Sequence, residues 1–307
     1  MVEVPGHWHM PWKLSELHGG MVEYAKNSEE NGLDNIMNRF AGNYDIDDDG
    51  LIVFPSDRKR RQELMHQRIE HPATNNIYMI EAVVEYLTQP GDMVLDPMLG
   101  GGSTMAAAST GRKVVGIELN NYFYESLITN SLHIPGDIRI LKGDCREVLS
   151  NWPAIFNLVI FSPPYSNTTA ANTGAAMFDS SKRAIAKGIS AFAEADPHNL
   201  GQMTDFWFSV AMKDVLKKCF QVTKPDGYMV IIIKDRMRAG TRVELGKRQI
   251  RMAYDTGYKV HELYKRYHIG AIHGRRNLAR GIAQVTDEHI LMFRKPSPGE
   301  GSHNYAG

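Results

Sequence analysis

The segment Ser162-Pro-Pro-Tyr165 carries the most distinctive chemistry in the sequence. It directly follows the apolar run Leu158–Phe161, which is typical of a buried strand. Because two prolines fix the backbone and remove two amide donors, the carbonyl groups around Ser162 and Pro163 remain available as rigid acceptors. An exocyclic amine on a nucleobase is a poor nucleophile until two acceptors hold its hydrogens out of the ring plane. Ser162 Oγ and the Pro163 carbonyl can supply those acceptors, and Tyr165 can stack on a base withdrawn from its helix.

A second group of residues lies earlier in the chain, at the ends of predicted strands. Gly100-Gly-Gly102 follows the strand Met93–Leu95, and a helix predicted from about Ser103 directs free N–H groups at a carboxylate or phosphate. No Gly-Lys-Ser/Thr follows these glycines, which excludes a P-loop. Glu118 ends the next strand, where an acid can bind two ribose hydroxyls, and Asp144 ends the third, where it can accept from an adenine amino group. In series these positions predict a nucleoside pocket.

The elements that position these residues follow from the hydrophobic pattern. Apolar residues at spacings of three and four predict a helix from 75 to 88, and strands then alternate with short helices along the chain. This alternation predicts βαβ units and an α/β fold with a mainly parallel sheet. Further elements are predicted as strands at 114–117, 138–141, 156–161, 227–233, 258–267 and 288–293, and as helices from about 120, at 205–220 and at 244–255.

Composition narrows the class of protein. The chain has 307 residues, of which 43% are hydrophobic and 23% charged, and this excludes a wholly disordered, collagenous or disulfide-framework protein. Lys+Arg and Asp+Glu both number 35, so a polyanionic partner would need a local basic face. There are 2 cysteines, no secretion signal at the start and no apolar run long enough to span a membrane. We therefore expect a cytoplasmic protein without a membrane partner.

Several motifs in order resemble a known family. His71-Pro-Ala73, Asp96–Thr104, Ser162-Pro-Pro-Tyr165 and Lys224-Pro-Asp-Gly227 are similar to motifs of the S-adenosylmethionine-dependent amino methyltransferases of the Rossmann-like class. The resemblance is to the DNA N4-cytosine and N6-adenine methylases in particular, and it covers about residues 68–295. It implies a mainly parallel seven-stranded sheet flanked by helices, with the cofactor motifs preceding the catalytic loop.

The resemblance also assigns roles to residues. It implies S-adenosyl-L-methionine as the cofactor, no metal, and catalysis by Ser162, Pro163, Pro164 and Tyr165. Serine at the first position of this loop is typical of cytosine-N4 enzymes, and Met98 stands where the family usually has Phe. The residues implied to hold the cofactor are His71, Pro72, Asp96, Pro97, Gly100, Gly102, Ser103, Thr104, Glu118, Asp144 and Cys145.

The chain is expected to divide into three parts. Residues 1–67 form an N-terminal extension without regular periodicity, 68–295 form the methyltransferase domain, and 296–307 form a C-terminal tail. Within the domain, the insertion 166–203 and the basic segment Lys265–Arg280 are the candidate recognition regions. Basic residues in the second half either make a phosphate-binding face or are scattered surface charges. They are Arg236, Arg238, Arg242, Lys247, Arg248, Arg275 and Arg276, of which the last two, with Tyr165, are the candidate substrate contacts.

These observations predict a cytosine-N4 DNA methyltransferase of the kind found in restriction–modification systems, with nucleic acid as its partner, DNA favoured and RNA possible. Neither Cys145 nor Cys219 lies in the catalytic loop and no Pro-Cys pair is present, so no covalent intermediate is expected. Two alternatives stay open. The acceptor can be adenine N6 in DNA or a base in ribosomal or transfer RNA, or the chain can be an inactive cofactor-binding subunit that positions a partner. The target sequence and the oligomeric state are not predicted.

Overall fold

A computed structural model describes most of the chain. The described residues are 40, 43–67, 69, 71, 73–165, 196–238, 240–268, 281 and 284–300. Within them, no helix is both long and apolar enough to span a membrane.

One large sheet forms the centre of the described structure. Its strands are β1 (Asp45–Ile46), β2 (Ile52–Val53), β3 (Met93–Asp96), β4 (Lys113–Glu118), β5 (Asp137–Lys142), β6 (Phe156–Phe161), β7 (Thr223–Ile233), β10 (Lys259–Tyr267) and β11 (Asp287–Arg294). Their order across the sheet is β1-β2-β10-β11-β7-β6-β3-β4-β5. Strands β3 to β7 pair in parallel, while β11 is antiparallel to both β7 and β10. A small hairpin of β8 (Arg236–Arg238) and β9 (Thr241–Val243) follows β7.

This architecture confirms the predicted α/β class and corrects two details. The seven long strands are those expected, but the sheet has nine strands among the described residues. The two additional strands come from the N-terminal extension: β1 pairs with β2, and Ile52 of β2 pairs with Arg266 of β10. The expectation of an irregular extension is therefore wrong for this part, because a two-residue strand is too short to produce a periodic pattern.

Helices cover both faces of the sheet. The described α-helices are α1 (Arg58–Leu64), α2 (Ile77–Leu87), α3 (Asn121–Ser131), α4 (Cys145–Val148), α5 (Asp205–Val222) and α6 (Leu245–Thr256). One core packs α1, α2 and α3 on one face, and the other packs α5 and α6 on the opposite face. Consecutive residues of β7 alternate between the cores, with Val230 in the first and Ile231 in the second. Burial on both faces explains why the central strands are continuously apolar.

Candidate active site

The carboxyl ends of the parallel strands surround one cavity. Its volume is about 540 Å³, which is in the range of small-molecule and cofactor pockets. Ligands bind at this edge of an open α/β sheet because the loops that leave neighbouring strands meet there. The cavity is lined by the turn after β3, the ends of β4 and β5, the loop after β6, Lys234 after β7, and His198–Leu200. The two groups of residues predicted from the sequence therefore share one site.

The glycine turn after β3 is held by bonds within the chain. Asp96 Oδ1 accepts from the Met98 amide at 3.0 Å, and Oδ2 accepts from Thr104 Oγ1 at 2.6 Å. These two bonds lower the pKa of Asp96, but burial has the larger effect and raises the pKa to about 7. The residues after the turn form a 3-10 helix, Ser103–Thr110, and not the predicted α-helix. Asp96 thus fastens the two ends of the turn together.

Glu118 connects the end of β4 to the same turn. Its Oε2 accepts from the Gly100 amide at 2.8 Å, and its Oε1 accepts from the Asn120 amide at 2.8 Å. The residue is only 8% exposed, and this burial raises the pKa of its carboxyl group. A carboxylate offers about four acceptor sites, and the amides of Gly100, Leu119 and Asn120 use three of them. Glu118 can therefore hold the turn and still accept from a bound ribose hydroxyl.

Asp144 lies at the end of β5 and begins α4. Its side chain accepts from the Arg146 amide at 2.9 Å and forms an ion pair with the Arg146 guanidinium at 2.5 Å. His198 Nδ1 lies 3.1 Å from Asp144 Oδ2. Burial acts to raise the pKa of Asp144, but the bonds from Arg146 and His198 outweigh it and lower the pKa. The next residue, Cys145, also lines the cavity, and burial raises the pKa of its thiol to about 12, so the thiol stays neutral.

The loop after β6 forms another part of the cavity wall. All four residues of Ser162-Pro-Pro-Tyr165 line the cavity, and Pro163 is buried. The Lys234 amide donates to Tyr165 Oη at 3.2 Å, which fixes the far end of the phenol ring. Burial raises the pKa of Tyr165 well above its ordinary value. Tyr165 is thus a neutral ring on the border of the cavity, anchored at its hydroxyl.

Sequence reasoning missed a polar wall made of Lys234, His268 and Glu288. All three line the cavity, although they come from three separate strand ends. Lys234 Nζ donates to the His268 carbonyl at 2.6 Å, and Glu288 pairs with Arg266 at 2.5 Å. Burial lowers the pKa of the His268 imidazole to about 4, so this ring is neutral at physiological pH. No motif contains these residues, and only the order of the strands brings them together.

The other predicted cofactor residues have different outcomes. Pro97, Ser103, Thr104 and His71 line the cavity, and burial lowers the pKa of His71 to about 4. Pro72 lies outside the described residues. Gly102 does not line the cavity: its φ is +75°, and a Cβ there would be 2.6 Å from Leu127 Cδ2. A side chain at this position would face the core, and the role of Gly102 as a cofactor contact stays a prediction.

The predicted basic face is only partly described. Arg275 and Arg276 lie outside the described residues, as does most of the insertion 166–203. Two other members pair with acids of the chain, Arg236 with Asp205 at 3.2 Å and Arg242 with Asp235 at 2.8 Å. These ion pairs reduce the charge that the two guanidinium groups offer to phosphates.

The fold and the cavity together define a class of protein, the Rossmann-like α/β proteins with a ligand cavity at the carboxyl ends of their parallel strands, here bordered by acidic side chains at successive strand ends and by a glycine turn. Residues 15–130 match the model of a family described as DNA methylase. Members of that family use S-adenosylmethionine as their methyl donor.

Individual proteins are similar over shorter stretches. The candidate methylase YubD of Escherichia coli (strain K12) is 37% identical over 57 residues, which are 18% of this chain and 25% of that protein. The DNA adenine methyltransferase YhdJ of the same organism is 35% identical over 68 residues, which are 22% of this chain and 23% of that protein. The match thus spans about a quarter of these relatives' length. Each of these sequence matches covers less than half of this chain.

A solved S-adenosylmethionine-dependent methyltransferase of Methanosarcina mazei is 12% identical with a TM-score of 0.45, covering 70% of this chain and 98% of that chain.

Proposed function

We propose that this protein transfers a methyl group from S-adenosylmethionine to the exocyclic amine of a nucleobase, with cytosine N4 in DNA as the preferred acceptor. One observation carries the proposal. The loop Ser162-Pro-Pro-Tyr165 opens into the same cavity as the acids Glu118 and Asp144. An amine-polarising loop and a nucleoside pocket are both needed for this reaction, and here they adjoin.

The cofactor half of the cavity consists of the turn after β3 and the ends of β4 and β5, and its residues fit an adenosyl cofactor. Glu118 retains acceptor capacity for ribose hydroxyls, and Asp144 lies where a carboxylate can accept from the adenine amino group. At Gly100 a Cβ would lie 3.3 Å from His71 Nε2, so a side chain there would crowd the turn. The neutral His71 ring and the glycine turn can then hold the methionine end. When bound, the cofactor supplies an electrophilic methyl group on a sulfonium.

The catalytic half of the cavity is the loop Ser162-Pro-Pro-Tyr165, and it would make the amine nucleophilic. The lone pair of a nucleobase amine is delocalised into the ring, and it localises when Ser162 Oγ and the Pro163 carbonyl accept the two amine hydrogens. These acceptors are useful chiefly because they are already in place, since Pro163 is buried and its backbone is fixed. These two acceptors would orient the amine toward the methyl group that the bound cofactor supplies, and the methylated amine would release one proton to solvent. The chain's own contribution is positioning and polarisation.

The target base would lie between Tyr165 and the polar wall of Lys234, His268 and Glu288. Tyr165 lines the cavity and its hydroxyl accepts from the Lys234 amide, so the base would stack on the part of the ring that borders the cavity. The wall presents one cation, one neutral imidazole and one anion to the ring edge of the base. Such a mixture of donors and acceptors suits a nucleobase better than it suits an apolar substrate.

Adenine N6 is the second candidate acceptor. It is favoured by the similarity to a relative whose name describes a DNA adenine methyltransferase. Cytosine is favoured by Ser162 at the first position of the catalytic loop. A base in RNA would use the same chemistry, whereas the complete catalytic loop argues against an inactive subunit.

The proposal is tested by incubating the protein with S-adenosylmethionine carrying a deuterated methyl group and with separate DNA and RNA pools. Nucleoside mass spectrometry of each pool should find the label in N4-methyl-2′-deoxycytidine from DNA. Label in N6-methyladenine or in an RNA nucleoside would move the proposal to the second candidate. Cofactor binding without label in either pool would contradict methyl transfer.

A further inference from the structure

A short described segment, residues 196–202, lies on the cavity beside Asp144. Leu200 is only 5% exposed and packs in the second core, while Asn199 and Leu200 also line the cavity. Two bonds shape the segment: Asp196 accepts from the His198 amide at 2.8 Å, and Asn199 accepts from the Gly201 amide at 2.9 Å. This arrangement places the His198 imidazole against the Asp144 carboxylate.

The carboxylate of Asp144 has no acceptor position left. Its Oδ1 accepts from the Arg146 amide at 2.9 Å and from Arg146 Nε at 3.0 Å. Its Oδ2 accepts from Arg146 Nη2 at 2.5 Å and contacts His198 Nδ1 at 3.1 Å. A carboxylate offers about four lone-pair sites, and these contacts use them. An adenine amino group can therefore bond to Asp144 only after one present partner leaves.

His198 is the partner that can leave most easily. Arg146 binds the carboxylate through its amide and its guanidinium, and charge-assisted bonds of this kind are strong. His198 makes one longer contact, and its side chain is 48% exposed. Glu147 lies 3.9 Å from the same imidazole and offers it another partner. Although Asp144, Glu147 and His198 have ligand atoms within 4.8 Å of one another, Arg146 already neutralises Asp144, which argues against a metal site.

We propose that His198 competes with the cofactor for Asp144, because it occupies the acceptor position on Asp144 that the 6-amino group of the cofactor's adenine takes on binding. This inference rests on the proposed function. A 6-amino purine replaces the His198 contact with a bond of its own. A purine without that group offers no replacement, so it leaves His198 on Asp144.

The test uses calorimetry with two probes, S-adenosylhomocysteine and the same compound without its 6-amino group. Both are measured on the wild-type chain and on His198→Ala. The amino compound should bind His198→Ala roughly threefold to tenfold more tightly than the wild type, since one hydrogen bond no longer has to be broken. The affinity of the compound without the amino group should not change.

Two further variants keep this result interpretable. His198→Leu retains bulk without a ring nitrogen, so it should behave like His198→Ala. Asp137→Ala alters an exposed acid at the opposite end of β5 from Asp144, so it should bind both compounds as the wild type does. If His198→Ala binds both compounds with the same affinity as the wild type, or with a lower affinity, His198 is not a competitor and the inference fails. If neither compound binds the wild type at all, the proposed function fails instead.

Discussion

The two halves of the cavity are built in different ways. In the cofactor half, each acid already bonds to the protein: Asp96 to Thr104, Glu118 to Gly100, and Asp144 to Arg146. In the catalytic half, the described loop is held by two prolines and by one bond from the Lys234 amide to Tyr165. The cofactor half is preorganised by hydrogen bonds, and the catalytic half by covalent rigidity and burial. Substitutions in the first half should therefore affect folding and cofactor affinity, and those in the second should affect turnover.

The largest effect is expected at Gly102. Gly102→Ala forces a side chain into a left-handed backbone with φ of +75° and places its Cβ 2.6 Å from Leu127 and 2.8 Å from Met105. We expect a loss of about 2–4 kcal/mol in the free energy of unfolding, from backbone strain and overpacking together. Denaturant unfolding measures it.

Gly91→Ala is the matched control. Gly91 also has a positive φ, of +92°, but a Cβ there would meet nothing within 4 Å. The free energy of unfolding of Gly91→Ala should fall only by the cost of backbone strain, roughly 1–2 kcal/mol. Equal losses for the two variants would show that the core does not close tightly under the turn.

Glu118→Ala should weaken binding of S-adenosylmethionine by roughly 1–3 kcal/mol, because ribose hydroxyls lose their acceptor and the Gly100 amide loses its partner. Titration calorimetry on the folded variant checks this. Glu85→Ala removes an exposed acid on α2 and should leave the affinity unchanged. Unchanged affinity in Glu118→Ala would remove Glu118 from the cofactor site.

Pro163→Ala probes the rigidity of the catalytic half. The variant regains backbone freedom and an amide N–H, so turnover should fall roughly tenfold to a hundredfold while cofactor affinity stays constant, because alignment matters most in the transition state. The exposed Pro153, which precedes β6, provides the control Pro153→Ala. A loss of cofactor affinity equal to the loss of turnover would contradict the division between the two halves.

The smallest effect concerns the buried Asp96. The pKa of Asp96 is about 7 in the folded protein, above the ordinary value of 3.8. At a pH between these two values, the folded state keeps a proton on Asp96 that the unfolded chain has released. The stabilisation is complete below about pH 4 and disappears as the pH rises through 7. From pH 6 to 7 the free energy of unfolding should fall by about 1 kcal/mol relative to Asp96→Asn. Parallel pH profiles for the two proteins would show that Asp96 does not titrate in this range.

The sequence predicted most of the sheet because its central strands are continuous apolar runs. Strand β6 was predicted at its observed bounds, and α5 was predicted at 205–220 and observed at Asp205–Val222. Glu118 could be located because it follows the apolar residues of β4 directly, whereas Asp144 comes two residues after the end of the alternating strand β5. The sequence could not show that a side chain at Gly102 would face the core, because a glycine that permits a ligand and a glycine that faces the core look identical in sequence.

The remaining parts of the site depend on contacts between distant residues. Lys234, His268 and Glu288 come together only through the order β10-β11-β7, which local periodicity does not contain. The pairing of His198 with Asp144 joins residues 54 positions apart. No local rule connects such residues, so the polar wall and the His198 contact could be found only in the folded structure.

The central claim is that the loop after β6 holds the acceptor amine beside the cofactor. It is tested most directly by measuring turnover and cofactor affinity together for Ser162→Ala and Tyr165→Ala. We predict that Ser162→Ala loses roughly a hundredfold in turnover. Tyr165→Ala should weaken productive capture of the base by roughly 1–3 kcal/mol, because the stacking surface is lost. Both variants should bind the cofactor with the affinity of the wild type. If both variants methylate at the wild-type rate, this loop is not the active site and the proposed function is wrong.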